Sequence, residues 1–560
     1  MADEFRWALR ASWERRLPER TDMPPHPAQS PRRSGMPRWK TLPRDCWLAA
    51  ASVLLVLAGC STLPPRQALP PQQALTPASI GPIASSLLEP VRAQVPRSGF
   101  IMLESGLDAF AARLWLVDRA VSSLDVQCYI WRDDRTGRWL LGRMLAAAER
   151  GVRVRLLLDD NNGSAALDAL LARLNAHDRV EVRLFNPYPH RGSIGRAWDL
   201  ASDFSRLNRR MHNKAFTADG LATIMGGRNS GDEYFGVDDK MQFADLDVLA
   251  VGPIVEPVVA SFDAYWNSAS AYPLVELRAQ GADAPASEAE RQAVTEAERY
   301  STALVSKPRV EQWRERGPLP TDFAWGAARL VVDPPDKVLG QAHERELMLP
   351  RLERVLGRAE RNIELVSPYF VPDDDGVAAF GALQDKGVRV RVLTNSLAAT
   401  DVAAVHAGYA DQRTALLKAG VELYELKSTP ALTEAPQRSR GRGRLLGFGS
   451  SSEASLHAKT FAVDGERVFI GSFNFDPRSA WLNTEIGVLL EHPGLARRMG
   501  AAFDTEVPRQ SWRVSSEGDA LRWTELTADG PRTVAQEPEV GWWLRVWVWM
   551  LSWLPIDGLL

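Results

Sequence analysis

The chain has 560 residues, with 67 Lys and Arg against 70 Asp and Glu, and 45% of its residues are hydrophobic. This length and composition are typical of about two to four globular domains and not of a disordered chain. The near-balanced charge argues against a nucleic-acid partner, and the 3 Cys are too few for a disulfide scaffold.

The amino-terminal region has the pattern of an export signal. Basic residues precede a 13-residue apolar run from Cys46 to Ala58, which is too short to span a bilayer as a helix but suits a signal sequence. The run ends in Leu57-Ala58-Gly59-Cys60, which resembles the lipobox of bacterial lipoproteins. The alternative is a buried apolar helix followed by an unrelated Cys.

By that resemblance, residues 1–59 are removed and Cys60 carries a diacylglycerol. We expect translation to start at Met36, or residues 1–35 to be unstructured. A Pro-rich tether at 60–94 follows, with too much Pro for a helix or strand. These features predict a lipid-anchored protein of the bacterial cell envelope that faces the periplasm; they leave open which membrane holds the anchor.

The body of the chain contains one pattern twice. Residues 124–161 read as an apolar strand, a polar turn, an amphipathic helix and a second strand, and residues 362–396 repeat that order. Gly151 and Gly387 hold the helix C-cap positions. Each copy is a βαβ unit, so the predicted fold class is α/β with mostly parallel strands. Two duplicated domains are predicted at 95–275 and 320–510, with a helical connector at 276–319 between them.

A second repeated pattern lies downstream in each half. It consists of a His, a Lys two residues later, an Asp-Gly pair, and a small residue two positions before an Asn. The two copies are His212, Lys214, Asp219, Gly227, Asn229 and His457, Lys459, Asp464, Ser472, Asn474. Because the chain has only 8 His, two matches at the same internal spacing are a specific signal.

This spacing predicts a site for a phosphodiester. In a strand, His and Lys two residues apart face the same side, and an Asp-Gly hairpin turn returns the Asn beside them. Two copies about a pseudo-twofold axis supply two ammonium groups for the phosphate charge, a nucleophilic imidazole and an acidic one. A metal site is disfavoured because the Lys would repel a cation. A buried structural His would explain one motif but not a pair.

The paired motifs resemble the phospholipase D superfamily, and the chain is most similar to bacterial cardiolipin synthases of the C type. Further similar stretches are RLNRRMHNK, DLDVLAVGP and NTEIG. The resemblance implies two α/β/α sandwich domains with mixed, largely parallel sheets and an active site at their pseudo-twofold interface. It also implies a covalent phosphatidyl-histidine and no metal or cofactor.

Carried over to this sequence, the resemblance makes His212 the nucleophile and His457 the acid and base, although the two could be exchanged. Asp245 and Glu485 would hold the imidazole nitrogens remote from the phosphate, and Asp219 and Asp464 are mainly structural. Phosphate binding falls to Lys214, Lys459, Asn229 and Asn474. Gly227 departs from the second copy, where Ser472 supplies a hydroxyl.

A second anionic lipid would need cations near the site. Candidates are Arg210 on the segment before the first motif and His406, Tyr409 and Arg413 on a predicted helix of the second half. The alternative is that these are ordinary surface residues.

The carboxyl-terminal segment 511–560 is predicted to be a Trp-rich tail at the membrane interface. Its tryptophans are Trp542, Trp543, Trp547, Trp549 and Trp553, and such apolar, Trp-rich segments favour the membrane interface. The alternative is a helix packed on the globular body.

The predicted activity is phosphatidyl transfer that forms cardiolipin from phosphatidylglycerol and a second phospholipid, with phosphatidylethanolamine as a candidate. A hydrolase that releases phosphatidic acid is the main alternative. A nuclease-type phosphodiesterase is disfavoured by the acidic charge and the signal sequence, and a lipid-binding protein without activity by the two intact motifs. The oligomeric state stays open.

Overall fold

The structure, a computed structural model, describes residues 63–66, 69–237, 241–277, 308–428, 453–518 and 520–551. The predicted signal, Met36, Cys60, Trp553 and most of the connector therefore lie outside the described residues.

The described strands are numbered in chain order. They are β1 (Ser98–Leu103), β2 (Ser123–Cys128), β3 (Arg153–Asp159), β4 (Val180–Phe185), β5 (Ala215–Ala218), β6 (Ala222–Gly226), β7 (Met241–Ala244), β8 (Asp247–Val251), β9 (Ala271–Pro273), β10 (Ala324–Val332), β11 (Asn362–Val366), β12 (Arg389–Asn395), β13 (Glu422–Leu426), β14 (Glu453–Leu456), β15 (Thr460–Val463), β16 (Arg467–Gly471), β17 (Ile486–Glu491), β18 (Ser511–Glu517), β19 (Ala520–Thr527) and β20 (Gly530–Val534).

The described α-helices are numbered in the same way. They are α1 (Pro82–Arg92), α2 (Gly106–Arg119), α3 (Arg135–Glu149), α4 (Ala165–Asn175), α5 (Ser193–Ser202), α6 (Phe204–Leu207), α7 (Val255–Asn267), α8 (Leu274–Leu277), α9 (Pro308–Arg316), α10 (Met348–Leu356), α11 (Asp374–Asp385), α12 (Ala403–Lys418), α13 (Pro493–Thr505), α14 (Val507–Gln510) and α15 (Trp542–Leu551).

Each half is a mixed sheet with parallel strands at its centre. In the first half, β2, β3 and β4 are parallel, and β5, β6, β8 and β1 continue the sheet from β2 as antiparallel neighbours. In the second half, β11, β12 and β13 are parallel, and β15, β16, β17 and β10 continue from β11 in the same way. The predicted α/β class and the duplication are confirmed, while the Asp-Gly hairpins make the flanks antiparallel.

Hydrophobic periodicity explains why these elements pack as they do. Strands β3 and β12 are almost wholly buried and carry Val and Leu on both faces, as expected for parallel strands covered by helices. Helices α3 and α11 begin with the N-caps Asp134 and Asp373, whose side chains accept from the backbone amides of Gly137 and Gly376. Gly151 and Gly387 follow these helices with positive φ, as the C-cap prediction requires.

The two halves share a third hydrophobic core. One core lies within each half, and the third joins side chains such as Val248 and Ala250 of β8 to Ile470 and Val488 of the second half. Strand β1 also pairs with β10, and β7 pairs in parallel with β14. The halves therefore form one body, with the site residues along the line where they meet.

The tether prediction requires a correction. Residues 82–92 form helix α1, which starts with Pro82 and buries Ile83 and Leu87. Proline is tolerated in the first helical turn because its missing N–H has no intrahelical partner there. Upstream of this helix, the backbone N–H of Gln72 donates to Oδ1 of Asn267 at 2.9 Å. The described part of the tether therefore lies against the first half.

The carboxyl-terminal boundary also requires a correction. Residues 511–534 form β18, β19 and β20, which extend the second sheet from β13 by antiparallel pairing. The Trp-rich part of the predicted tail that the structure describes is α15, on which Trp542 and Trp543 are exposed. Within the part of the chain that the structure describes, no helix has the length and apolarity required of a membrane span.

Candidate active site

Both His-x-Lys motifs lie at the carboxyl-terminal edge of the parallel strands. Ala215 at the start of β5 pairs with Gln127 near the end of β2, and Thr460 of β15 pairs with Val366 at the end of β11. The strands begin one residue after each Lys, so the prediction that the His and Lys themselves lie in a strand was wrong. In both copies the His-x-Lys segment is an extended entry to the strand.

The two Asp-Gly turns are built alike. Asp219 and Asp464 have positive φ, 54° and 58°, which Asp tolerates better than most residues. The Asp219 carboxylate accepts from the backbone N–H groups of Val121, Ser122 and Ser123. The Asp464 carboxylate accepts from the corresponding amides of Glu360, Arg361 and Asn362. Both carboxylates are thus occupied by backbone at the far end of the hairpin from the His, which gives these residues a structural role.

Each catalytic candidate is oriented by a carboxylate from the other half. Nδ1 of His212 lies 2.8 Å from Oε2 of Glu485, and Nδ1 of His457 lies 2.6 Å from Oδ2 of Asp245. Both carboxylates are fully buried. With Nδ1 engaged by a carboxylate, the other ring nitrogen, Nε2, is the one left for substrate. The family resemblance implied that these carboxylates hold the histidines, and the structure shows that each one comes from the other half.

The backbone makes the same exchange. His212 N–H donates to the carbonyl of Thr484 at 2.9 Å, and His457 N–H donates to the carbonyl of Ala244 at 2.8 Å. In each case the accepting residue immediately precedes the carboxylate that holds the imidazole. The two motifs are therefore related by a pseudo-twofold arrangement in which neither half is complete alone.

Two buried ammonium groups accompany the histidines. Lys214 Nζ donates to the His212 carbonyl at 2.7 Å, and Lys459 Nζ donates to the His457 carbonyl. Burial lowers the pKa of Lys214 to about 7, and it lowers the pKa of Lys459 as well. The charge of Lys459 contributes to the Lys214 shift, which brings the two motifs into one electrostatic environment.

The two imidazoles differ in their electrostatics. Burial and the charges of Lys214 and Lys459 hold the pKa of His212 well below its usual value. Burial and Lys459 also lower the pKa of His457, but Asp245 opposes that shift. Burial raises the pKa of Glu485 to about 7. For Asp245, burial is outweighed by His457, Lys459 and Arg228, so its pKa is lowered. The carboxylate that pairs with His457 is therefore more readily ionised than the one that pairs with His212.

The Gly227 and Ser472 positions respond to these different carboxylates. A Cβ at Gly227 would lie 2.2 Å from Oδ1 of Asp245, so only glycine fits there. At the equivalent position the Ser472 hydroxyl donates to Oε2 of Glu485 at 2.5 Å. The first motif therefore has Gly227 where the second has Ser472 because a larger side chain would collide with the carboxylate that holds His457.

The two asparagines are buried beside the motifs. The Asn229 side chain accepts from Ile130 N–H at 3.1 Å and donates to the Tyr234 hydroxyl at 3.0 Å. The side-chain oxygen of Asn474 is buried and has no hydrogen-bond partner among the described residues. Because an amide can turn over to present either its oxygen or its NH₂, Asn474 can direct a donor at a phosphate oxygen.

Aromatic rings enclose both histidines. The Tyr129 ring contacts His212 edge-on with 4.8 Å between centroids. Tyr234 and Phe243, both of the first half, contact His457 at 5.3 and 5.0 Å. Sequence reasoning missed Tyr234 and Phe243 as site residues; their proximity in sequence to Asn229 and Asp245 was the available signal.

The predicted acceptor residues fall in two places. Arg210 lies two residues before His212 and is buried. Its Nη1 donates to the Asn186 carbonyl at 3.0 Å and lies 3.5 Å from Oδ1 of Asp159, while Nε and Nη2 lack hydrogen-bond partners among the described residues. The neighbouring arginines of this segment are engaged by protein groups; Arg191, for example, pairs with Asp160 and Asp168.

His406, Tyr409 and Arg413 require a correction. They lie together on α12 in a buried ion-pair cluster, in which Tyr409 donates to Glu425 at 3.0 Å and Arg413 pairs with Glu425 and Glu537. Nε2 of His406 lies 2.7 Å from an Arg413 nitrogen. The cluster fastens the segment before α15 to the second sheet, so these side chains are structural and are not gathered with the paired histidines.

Comparison with known proteins agrees with this geometry. A family model described as "Cardiolipin synthase, PLD-like domain" matches residues 115–266 and 352–507. Cardiolipin synthase C of Escherichia coli K12 is 45% identical over 487 residues, which cover 85% of this chain and 99% of that protein. A cardiolipin synthase of Geobacillus thermodenitrificans is 27% identical and covers 70% of this chain and 62% of that protein.

Among solved structures, the phosphatidylserine synthase of Haemophilus influenzae matches with a TM-score of 0.51 and 11% identity, covering 84% of this chain and 98% of the other. At that identity the match concerns the fold alone. The two family-model matches coincide with the two halves described above, each with its own His-x-Lys motif. The chain belongs to the phospholipase D superfamily, in the family of cardiolipin synthase PLD-like domains.

Proposed function

We propose that this protein is a membrane-associated phosphatidyltransferase that forms cardiolipin from phosphatidylglycerol and a second phospholipid. The observation that carries the proposal is the reciprocal pairing of His212 with Glu485 and of His457 with Asp245 across the two halves. This pairing brings two imidazoles and two ammonium groups into one buried site, a set of groups suited to one phosphodiester. The identity to a cardiolipin synthase over most of both chains supports the choice of product.

In the first step, Nε2 of neutral His212 attacks the phosphorus of the donor lipid and forms a P–N bond. The P–O bond to the donor headgroup breaks, and His457 donates its proton to the leaving oxygen, which departs as an alcohol. The lowered pKa of His212 favours the neutral nucleophile. The anionic phosphate and Asp245 favour the charged form of His457.

In the second step, His457 is neutral and removes the proton from the headgroup hydroxyl of phosphatidylglycerol. That oxygen attacks phosphorus, the P–N bond breaks, and cardiolipin forms with His212 restored. Lys214 and Lys459 balance the charge that develops on the non-bridging oxygens, and Asn474 can donate to one of them. Arg210 is the proposed contact for the phosphate of the acceptor lipid, because part of its buried guanidinium lacks a protein partner.

Exposed apolar side chains support contact with a membrane. Helices α5 and α6 follow β4 at the edge where the motifs lie, and they expose Ile194, Trp198 and Phe204. On α15, Trp542 and Trp543 are 59% and 70% exposed, whereas Val548 packs on α12. Trp and large aliphatic residues of this kind partition to the bilayer interface. The site would then open toward the bilayer, with a lipidated Cys60 as anchor on the periplasmic side.

The assay that tests the function uses the purified full-length protein with phosphatidylglycerol, with and without phosphatidylethanolamine. We expect cardiolipin as the product, and His212→Ala should abolish it. Phosphatidic acid as the sole lipid product would indicate that the protein is a hydrolase and not a synthase. The absence of any lipid product would contradict phosphatidyl transfer altogether.

A further inference from the structure

The second half contains an apolar groove that the chemistry of phosphate transfer does not use. It lies between α10 and α11 and the segment 473–481, and its enclosed volume is about 100 Å³. Its walls include Leu356, Phe380, Leu383, Phe473, Phe475 and Trp481. We call it the α10–α11 groove.

The groove borders the segment of chain that carries Asn474 of the second motif. Phe473 and Phe475, on its wall, flank Asn474 in the chain, and the Phe475 carbonyl accepts from Val371 N–H at 2.8 Å, which places Val371 on the same wall. Asp476 also borders the groove, and its charge acts on Lys459. One end of an apolar space is thus close to the proposed phosphate position.

The corresponding space in the first half is filled. There the equivalent helices are α2 and α3, which occupy the same places in the duplicated topology. The Phe110 ring of α2 packs at a tilt against Trp139 of α3 and against Phe235, with centroids 5.2 and 4.9 Å apart, and Phe110 and Phe235 are fully buried. The same fold can therefore close this space with aromatic rings, and the second half leaves it open.

From these observations we propose that the α10–α11 groove binds an acyl chain of the phospholipid whose phosphate lies between His212 and His457. The inference rests on the proposed function, because only a lipid substrate places a long hydrocarbon chain beside this phosphate. Apolar walls remove the chain from water without needing hydrogen bonds, and the polar groups at the Asp476 end meet the headgroup region.

Ala379 provides the sharpest test, since it is buried on α11 and lines the groove, whereas the adjacent Ala378 is exposed. Ala379→Phe should fill the groove, and Ala378→Phe on the same helix should not. With long-chain phosphatidylglycerol, Ala379→Phe should lower kcat/KM by roughly tenfold or more, while with dihexanoyl phosphatidylglycerol the loss should stay below about twofold. Ala378→Phe should match the parent protein with both substrates.

Leu349→Trp, on the opposite wall, repeats the test from α10, and it decides the matter if Ala379→Phe does not fold by circular dichroism. Equal loss with short and long chains, or no loss with either, would overturn the assignment.

A second readout does not depend on turnover. Phosphatidylglycerol with a photoactivatable diazirine near the end of one acyl chain should label peptides from 371–383 or 473–481, and Ala379→Phe should remove that label. Labelling without any lipid product would support the groove and contradict the synthase. Cardiolipin formation together with labelling of other peptides would support the synthase and contradict the assignment of the groove.

Discussion

At the scale of single residues, the site depends on buried carboxylates that differ in strength. Asp245 keeps a lowered pKa beside His457, whereas burial raises the pKa of Glu485 beside His212 to about 7. An ionised partner stabilises an imidazolium, and a weaker one leaves the imidazole neutral. This difference is the physical reason for proposing His212 as nucleophile and His457 as acid.

Glu485→Gln tests the orienting role of that carboxylate. The amide can still accept from Nδ1 of His212, but it can also present its NH₂ there and favour the wrong tautomer. We expect kcat to fall by about 10²-fold or more with little change in KM. An unchanged kcat would show that the contact does not serve the reaction, and Asp245→Asn is the matched variant for His457.

The Gly227 and Ser472 positions offer a second test at the residue scale. Gly227→Ala forces a Cβ against the Asp245 carboxylate and should displace the partner of His457, lowering kcat by about 10²-fold and the free energy of unfolding by about 1–3 kcal/mol. Ser472→Gly removes a hydroxyl that donates to Glu485 and accepts from Ile486 N–H but creates no clash, and we expect a loss of less than about tenfold. Steady-state kinetics and thermal unfolding measure both; equal effects would contradict the packing explanation.

The pH dependence follows from the direction of the pKa shifts. His212 must be neutral to attack, and its lowered pKa keeps it neutral below the usual 6.5. Lys214, with a pKa of about 7, loses its charge as the pH rises through that value. The profile of kcat/KM should therefore have an acid limb below pH 6.5, and the loss of charge from His457 and Lys214 should give an alkaline fall that begins at or below about pH 7. An acid limb at or above pH 6.5 would contradict a neutral His212.

At the scale of elements, the duplicated βαβ units, the hairpins and the helix caps were predictable from the sequence. Their signals are local: apolar periodicity before GVRVR, Gly151 and Gly387, and the Asp-Gly turns. The pairing of Asp245 with His457 and of Glu485 with His212 across the two halves was not predictable, because it depends on how the two sheets pack against each other. Helix α1 and strands β18–β20 were not predictable from local signals, because the helix depends on packing against the first half and the strands on pairing with β13.

Helices α5 and α6 support a prediction about membrane contact. Ile194 is 87% exposed and Trp198 is 42% exposed, so replacing both with Ser should not disturb the core. Binding to vesicles that contain phosphatidylglycerol should weaken by roughly tenfold, because about two buried apolar side chains are lost from the interface. Val275→Ser, an equally polar change at another exposed site, is the control in a co-sedimentation assay. Unchanged binding of the double variant would exclude this face.

At the scale of the whole molecule, the two halves are interdependent. Each His takes its backbone hydrogen bond and its carboxylate from the other half, and a shared core holds the halves in that register. The molecule therefore behaves as one catalytic unit with two unequal motifs. Duplication of one domain accounts for the symmetry of the motifs, and the different carboxylates beside the two histidines are departures from that symmetry.

The most direct test is to trap the covalent intermediate. The full-length protein is mixed with phosphatidylglycerol that carries radioactive phosphorus and is quenched in alkali, where the P–N bond survives although the acyl esters are hydrolysed, and the labelled peptide is then identified. We predict label on His212 that acid removes, formed more slowly in His457→Ala and absent in His212→Ala. Label on His457, or cardiolipin formed without any labelled protein, would contradict this account.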